Sequence, residues 1–423
     1  MTDLLIVQKF ARSLLVALLV CPSLLVCGAF ALADPAADAR RRAQRAVPVT
    51  VTAEIAYLGR AYEDPLPLSL VDKVLTDNGV QGARSGINYN ETTGNLLGHA
   101  YKLTEPVVPL ADSLAEKAKA LLASGTKLFV ADLEPADLIA VADLPEARDA
   151  VILSVRSSSD DLRGKDCRAN VFHIPPSFAM RADALAQYLL WKKWRRWFVI
   201  TGKATEDQQY LAAVKRAAGR FGANIVEERD YTFEAGYRRT DDGHQQIQTQ
   251  MPLLTQGAMD HDIVIAVDTA EAFGDYLLWR TEVPRPVAGT HGLMPVAWHR
   301  SFEQYAAMQM QNRFERSTGR TMTERDYAAW IAVRAIGEAV TRTGKADAAS
   351  VRAYLLSSAF EVAGFKGIGL TFRSWDHQLR QPILLSGPRT LVSISPQPGF
   401  LHERNLTDTL GVDAPETTCR MPK

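Results

Sequence analysis

Four serines and several charged side chains crowd residues 151–164, VILSVRSSSDDLRG, directly behind an apolar run that is typical of a buried strand. Serine hydroxyls and free backbone amides at a strand-to-helix turn can bind an anion or a hydroxyl without any catalytic residue. The same side chains could instead cap the next turn, a role open to Ser158, Ser159 and Asp160. Because the hydroxyls form a cluster, we expect them to bind a ligand.

Catalytic chemistry lacks its usual residues in this sequence. A serine nucleophile requires an elbow such as G-x-S-x-G, and no serine has those neighbours. No phosphate-binding or dinucleotide-binding glycine motif follows a predicted strand. The eight histidines are scattered without the spacing of metal ligands. The sequence therefore predicts a protein that is not an enzyme and that uses no cofactor and no metal.

The charge balance excludes another class of partner. Lysine plus arginine and aspartate plus glutamate each number 48, so a polyanionic partner such as nucleic acid is not indicated. The segment WKKWRRWF, residues 191–198, interleaves aromatics with cations, but this pattern is typical of the end of an amphipathic helix. At 423 residues, the chain is long enough for two domains.

The amino terminus predicts export to the periplasm. Residues 1–33 combine two cations, an apolar run and small residues that end in an A-x-A site, so we expect a signal peptide cleaved after Ala33. Val26 is too large for a good lipobox before Cys27, which disfavours lipidation. Residues 34–46 are rich in charge and alanine and predict a flexible lead-in.

Cleavage leaves two cysteines, Cys167 and Cys419, in an oxidising compartment. An even pair there favours one disulfide that ties the carboxyl-terminal tail to the body, and two unrelated thiols are the alternative.

Apolar runs of strand length alternate with segments of helical period from Val47 onward. This alternation predicts an α/β fold with parallel sheets in two similar halves. Ligands of such sheets lie beyond the carboxyl ends of the strands, where backbone N–H groups point outward. The candidate binding residues at these strand ends are Tyr57, Asp132, Glu134, Arg156, Ser157, Ser158, Thr201, Lys203, Asp268, Thr269 and His291.

Three segments carry a resemblance to a known family: residues 79–103, GVQGARSGINYNETTGNLLGHAYKL, residues 182–228, and residues 364–385, GFKGIGLTFRSWDHQLRQPILL. They resemble type I periplasmic solute-binding proteins of the leucine/isoleucine/valine-binding kind. Residues 287–340 and 399–411 are similar to a narrower group, the ABC-transporter substrate-binding proteins that accompany pyrroloquinoline-quinone (PQQ)-dependent alcohol dehydrogenase systems.

The resemblance implies two Rossmann-like lobes with the ligand in the cleft between them. It implies three crossings between the lobes, near Phe172 to Pro175, Pro284 to Pro286 and Glu361 to Gly367. The first lobe would then comprise residues 47–172 and 286–362, and the second lobe residues 173–285 and the return and tail, 363–423.

The implied function is that of a monomeric substrate-binding component that passes a small polar ligand to an ABC permease in the inner membrane. A ligand sensor of the same fold is an alternative from another class, and a periplasmic hydrolase is a third. Ser157 and Ser158 match the family's ligand turn after the fourth strand. The turn after the third strand instead reads ADLEPADL, with Asp132, Glu134 and Asp137, which argues against an ordinary aliphatic amino acid. An alcohol-oxidation product, the quinone cofactor and a metal-bearing species all remain open as ligands.

Overall fold

A computed structural model of the chain describes residues 47–63, 73–232 and 241–421, the side chains of 241–246 excepted. The predicted signal peptide, its cleavage site after Ala33 and the lead-in at 34–46 lie outside these residues. Within the described part of the chain, no helix is long and apolar enough to cross a membrane.

The first lobe is built on a parallel sheet whose strands run in the order β2-β1-β4-β5-β6, with β3 paired to β1. Its apolar runs are buried on both faces, as is typical of a parallel sheet covered by helices. The strands are β1 (Val51–Arg60), β2 (His99–Thr104), β3 (Val107–Val108), β4 (Leu128–Asp132), β5 (Val151–Ser154) and β6 (Val171–His173).

The second lobe carries a separate four-stranded parallel sheet in the order β10-β9-β7-β8. The two parallel sheets confirm the predicted α/β class. The strands are β7 (Arg196–Thr201), β8 (Asn224–Asp230), β9 (Ile263–Val267) and β10 (Val287–Gly289).

Helices cover both sheets, and four of them begin at a serine, threonine or aspartate whose side chain caps the first turn. The hydroxyl of Ser177, for example, accepts a hydrogen bond from the Met180 amide at the start of the helix that follows β6. The helices are α1 (Val80–Leu97), α2 (Leu114–Ala123), α3 (Pro135–Ala142), α4 (Phe178–Trp191), α5 (Thr205–Phe221), α6 (Asp241–Thr255), α7 (Gly274–Arg280), α8 (Ala307–Thr318), α9 (Glu324–Thr343) and α10 (Ala348–Leu355).

Two small antiparallel sheets complete the described structure. One has the order β11-β15-β16 and the other β12-β13-β14. Along β15, the side chains of Ile383 and Leu385 join the core of the second lobe, whereas Leu384 joins the core of the first. The strands are β11 (Met294–Val296), β12 (Val362–Ala363), β13 (Gly369–Phe372), β14 (Leu379–Arg380), β15 (Ile383–Ser386) and β16 (Leu391–Ser395).

The second crossing lies later in the chain than the predicted boundary at residue 285. β10 still pairs with β9, and the carbonyl of Pro286 accepts a hydrogen bond from the Val264 amide. A proline lacks only the N–H donor, so it can precede a strand and still accept. The second sheet therefore extends to Gly289.

The third crossing also differs from the prediction. The glycine-rich segment 361–367 turns β12 back onto β13 as an antiparallel pair, and Gly367 takes a positive φ of 82° in that turn. Leu370, Phe372 and Leu379 then pack in the core of the first lobe. The chain consequently leaves this lobe only between β14 and β15, because residues 369–379 bury their apolar side chains in the first lobe.

A disulfide joins Cys167 to Cys419, with their Cα atoms 5.7 Å apart. Before it reaches Cys419, the tail contacts both lobes: the Gly411 amide donates to Asp183 on α4 at 2.8 Å, and Asp408 accepts from Arg373 at 3.0 Å. The tail therefore runs across both lobes and is fixed covalently to the first.

Candidate functional site

The serine-rich turn after β5 is organised by a buried arginine. The Arg163 guanidinium donates to the carbonyls of Ser157 (3.0 Å), Ser159 (2.8 Å) and Pro175 (2.9 Å), and to Oε1 of Gln378 (2.7 Å). Burial lowers the pKa of Arg163 to about 10, so it stays charged at neutral pH. One side chain thus ties this turn to the first lobe crossing and to Gln378, the residue that precedes β14.

Ser157 and Ser158 lie in different environments. The Ser157 hydroxyl is buried and accepts a hydrogen bond from the Ser159 amide at 3.2 Å, which is a turn-capping contact. Asp160 likewise accepts from the Ala179 amide at 3.1 Å at the start of α4. Ser158, in contrast, lines an open cleft. Of the three residues for which capping was the alternative, Asp160 makes a capping contact. Ser157, which was not among them, caps the turn, and Ser158 remains available to a ligand.

The cleft has a volume of about 320 Å³ and receives side chains from both lobes. A second cavity of about 390 Å³ shares Arg156, Arg181, Glu271 and Glu324 with it. The predicted residues that line the first cleft are Arg156, Ser158, Asp268, Thr269 and His291. The described residues that line the two cavities do not include Tyr57, Asp132, Glu134, Ser157, Thr201 or Lys203.

Three of the predicted residues that do not line the cleft hold Arg156 in position: Tyr57, Asp132 and Glu134. The Tyr57 hydroxyl donates to Asp132 at 2.8 Å, and Asp132 and Glu134 lie 3.4 and 3.9 Å from the Arg156 guanidinium. Arg156 also lies 4.6 Å from the centre of the Tyr62 ring, a cation–π distance. Burial, and then the neighbouring Asp132 carboxylate, raise the pKa of Tyr57. These residues position the arginine.

Thr201 and Lys203 have structural contacts. The Thr201 hydroxyl is fully buried and donates to the carbonyl of Gly202 at 3.1 Å. Lys203 is exposed and lies 3.8 Å from Asp230. A ligand-binding role for this pair therefore has no geometric support.

Asp268 lines the cleft, but its carboxylate is occupied by the backbone. It accepts hydrogen bonds from the amides of Ala272 (2.9 Å), Phe273 (2.7 Å) and Gly274 (2.7 Å) at the start of α7. Thr269 donates through its hydroxyl to Asp207 at 2.7 Å. Both residues shape the wall of the second lobe.

The strand-end prediction missed several residues of the cleft. Phe178 and Arg181 lie on the first turn of α4, three positions apart, and Glu206 and Tyr210 lie on α5, four positions apart. Such spacings place side chains on one helix face, and this signal in the sequence could have found them. The other missed residues of this cleft are Glu271, Gly289, Met294, Pro295, Val296 and Glu324.

Charges of both signs meet across the cleft. Arg181, on the second lobe, donates to the Pro295 carbonyl at 2.8 Å and to Glu324 of α9 at 3.2 Å. Burial, and then the negative charge of Glu134, raise the pKa of Glu206, whereas Arg156 opposes the rise. The site therefore pairs hydrogen-bond donors with carboxylates at the junction of the lobes. No group of three or more metal-ligating side chains is present among the residues described.

A buried lysine lies beside the crossings. The Lys366 ammonium donates to Oε1 of Gln381 (2.7 Å) and to the carbonyl of Pro382 (2.9 Å), and it lies 5.1 Å from the centre of the Tyr327 ring. Gln381 in turn donates to the Ile174 carbonyl at 2.6 Å. Burial lowers the pKa of Lys366 to about 7, with Glu324 raising it and Arg181 lowering it further.

We expect Lys366 to make the stability of the protein depend on pH. Its pKa falls from 10.5 in the unfolded chain to about 7 in the folded one. Between these values the unfolded chain binds more protons, so the free energy of unfolding rises as pH increases from about 7 to 10.5. Denaturant titrations at several pH values in this range should show a steeper rise for the wild type than for Lys366→Met. Equal slopes for the two proteins would contradict the expectation.

Comparison with known proteins identifies the family. Residues 110–386 match the family described as periplasmic binding protein. The chain belongs to the periplasmic binding protein family.

Solved structures share the fold of this periplasmic binding protein. One is a branched-chain amino acid ABC transporter periplasmic ligand-binding protein from Burkholderia xenovorans, with TM-score 0.64, 15% identity, and coverage of 88% of this chain and 100% of that chain. Another is a leucine-, isoleucine-, valine-, threonine- and alanine-binding protein from Brucella ovis in a closed conformation, with TM-score 0.63, 14% identity, and coverage of 89% and 100%. No curated protein matches the sequence.

A third solved structure is an ABC transporter solute-binding protein from R. palustris in complex with benzoate, with TM-score 0.60, 12% identity, and coverage of 87% and 99%. At such identities the likeness concerns the fold, so the ligand of this periplasmic binding protein must be argued from its own cleft.

Proposed function

We propose that this periplasmic binding protein is the substrate-binding component of an ABC importer. It acts in the periplasm after removal of residues 1–33, binds a small polar ligand between its two lobes, and delivers it to a permease in the inner membrane. The observation that carries this proposal is the cleft of about 320 Å³, which Arg156 and Ser158 line from the first lobe and Arg181 and Glu206 line from the second.

Binding across two lobes explains how the protein can signal occupancy. A ligand that contacts both lobes stabilises the closed arrangement, because only that arrangement makes both sets of contacts. The hydrogen bond from Arg181 on α4 to Glu324 on α9 joins the two lobes beside the cleft. Closure of the lobes on a ligand would therefore change this contact. The permease would recognise the closed, loaded form.

We further propose that the importer serves PQQ-dependent alcohol oxidation. The support is the similarity of residues 287–340 and 399–411 to binding proteins that accompany such systems.

Native mass spectrometry of protein purified from its own periplasm should reveal a bound small molecule. Protein that carries no ligand and binds none from a broad panel of polar metabolites would overturn the transport role.

The two neighbouring serines provide a matched test of the cleft. Ser158→Ala should weaken binding of the ligand so identified by roughly ten- to a hundredfold, with the melting temperature of ligand-free protein unchanged. Ser157→Ala should instead remove a turn cap at a cost of about 1 kcal/mol and lower that melting temperature. Isothermal titration and thermal unfolding of both variants measure these effects. The reverse pattern would move the ligand away from Ser158.

A further inference from the structure

The Tyr210 hydroxyl is a buried polar group without a partner among the described residues. Tyr210 lies on α5 in the wall of the cleft, its residue is 2% exposed, and its oxygen makes no hydrogen bond to any residue that the structure describes. Buried side-chain hydroxyls are hydrogen-bonded in the great majority of folded proteins. Tyr210 lines the cleft, but its hydroxyl oxygen is itself covered by neighbouring atoms, so a ligand atom that completes it must displace part of that cover as it binds.

The environment of Tyr210 keeps its hydroxyl protonated. Burial raises the pKa of Tyr210, and the positive charge of Arg181 opposes this rise only in part. The phenol is consequently an O–H group throughout the physiological range, and an acceptor oxygen on the ligand would satisfy it.

Arg181 provides further donors beside Tyr210. Its guanidinium gives one hydrogen bond to the Pro295 carbonyl and one to Glu324, whereas an arginine has five N–H donors. An acceptor placed between Arg181 and the Tyr210 hydroxyl would meet a cation on one side and an O–H on the other. A carboxylate suits this pair of donors better than a neutral carbonyl, because charge-assisted hydrogen bonds are stronger.

The rest of the wall defines the body of the ligand. The Phe178 ring packs against Tyr210 with centroids 5.6 Å apart, and Met294 and Val296 line the same cleft. Glu206 and Glu271 also line it, and they disfavour a second negative charge on the ligand. Arg156, the other cation of the cleft, already has two carboxylates beside it, Asp132 at 3.4 Å and Glu134 at 3.9 Å. The cleft thus combines one position for an anion, at Arg181, with an apolar surface.

We propose that Tyr210 is a ligand-binding residue and that, with Arg181, it holds the carboxylate of a small monocarboxylic acid whose apolar body packs on Phe178. This inference rests on the proposed solute-binding function and specifies the chemical class of its ligand.

The test compares two tyrosines that differ in their partners. Tyr210→Phe removes the lone hydroxyl and keeps the ring, so the ligand-free protein should unfold at the same or a higher temperature. Its affinity for a monocarboxylate should fall ten- to a hundredfold. Tyr354→Phe is the matched control, since the Tyr354 hydroxyl donates to the Ala359 carbonyl at 3.1 Å and lies outside the residues that line the two cavities of the cleft. This control should keep wild-type affinity.

Isothermal titration with butyrate and benzoate, the corresponding alcohols, and the dicarboxylates succinate and phthalate determines the class. We expect the monocarboxylates to bind and the alcohols and dicarboxylates to bind at least tenfold more weakly. Equal affinity of Tyr210→Phe and wild type for a bound acid would overturn the inference, and so would a large drop in the melting temperature of that variant. If another compound binds and none of these acids does, this inference fails and the proposed transport function stands; if nothing binds or copurifies, the proposed function itself fails.

Discussion

Replacing both Cys167 and Cys419 with serine should lower the free energy of unfolding by about 4 kcal/mol. The disulfide closes a loop across a sequence separation of 252 residues, and a cross-link over so long a loop removes much of the conformational entropy of the unfolded chain. Denaturant titrations of oxidised wild type and the double variant measure the difference. The wild type after reduction should approach the stability of the variant.

Hydrogen bonds of the carboxyl-terminal tail should keep it folded even without the disulfide. Asp408 and Gly411 still contact Arg373 and Asp183 without the disulfide, so the folded tail should stay in place under mild conditions. Alkylation of non-reduced, unfolded wild-type protein should find no free thiol at either cysteine. Two free thiols, or a stability difference below about 1 kcal/mol, would contradict a stabilising role for the disulfide.

Arg163→Met should destabilise the protein by at least about 3 kcal/mol, the second large effect that we expect. The variant keeps much of the side-chain volume but leaves the carbonyls of Ser157, Ser159 and Pro175 and the Gln378 side chain without their donor. Because this turn carries Ser158, which lines the cleft, the affinity for the proposed ligand should fall as well.

Arg168→Met provides the control for Arg163. Arg168 lies five residues further along the chain and pairs with Asp143 at 2.5 Å, but both side chains are partly exposed. Ion pairs of that kind contribute about 0–1 kcal/mol, so the loss should be small. Chemical unfolding of both variants measures the difference. Similar losses at the two positions would show that the network around Arg163 is not what holds the turn.

The alternation of apolar runs and helical segments was enough to predict two parallel α/β sheets. β9 and the first four residues of β4 are short apolar runs in which every residue is buried, and such runs indicate covered parallel strands before any contact is known. The count of cysteines left after the predicted signal cleavage likewise favoured the pair that the structure joins. These features are local or compositional, which is why a sequence reveals them.

The positions of the lobe crossings required the three-dimensional structure. The family resemblance implied crossings near Pro284 to Pro286 and Glu361 to Gly367, and the proline and glycine content of these segments suits hinges. In the structure, Pro286 pairs into the second sheet through its carbonyl, and the glycines form a turn between β12 and β13. Proline and glycine indicate a change of direction, but the burial of the residues that follow decides which lobe the chain enters.

The sequence by itself determined that polar residues collect where parallel strands end, and therefore which edge of each sheet holds the site. Only the tertiary structure decided which of those side chains face the cleft. Ser157 turns inward because Arg163, itself bonded to Gln378 some 215 residues away, holds the turn in place. Tyr210 reaches the cleft because α5 packs beside α4. The direction of a side chain is set by hydrogen-bond and packing partners that are distant in sequence, so spacing along the chain does not determine it.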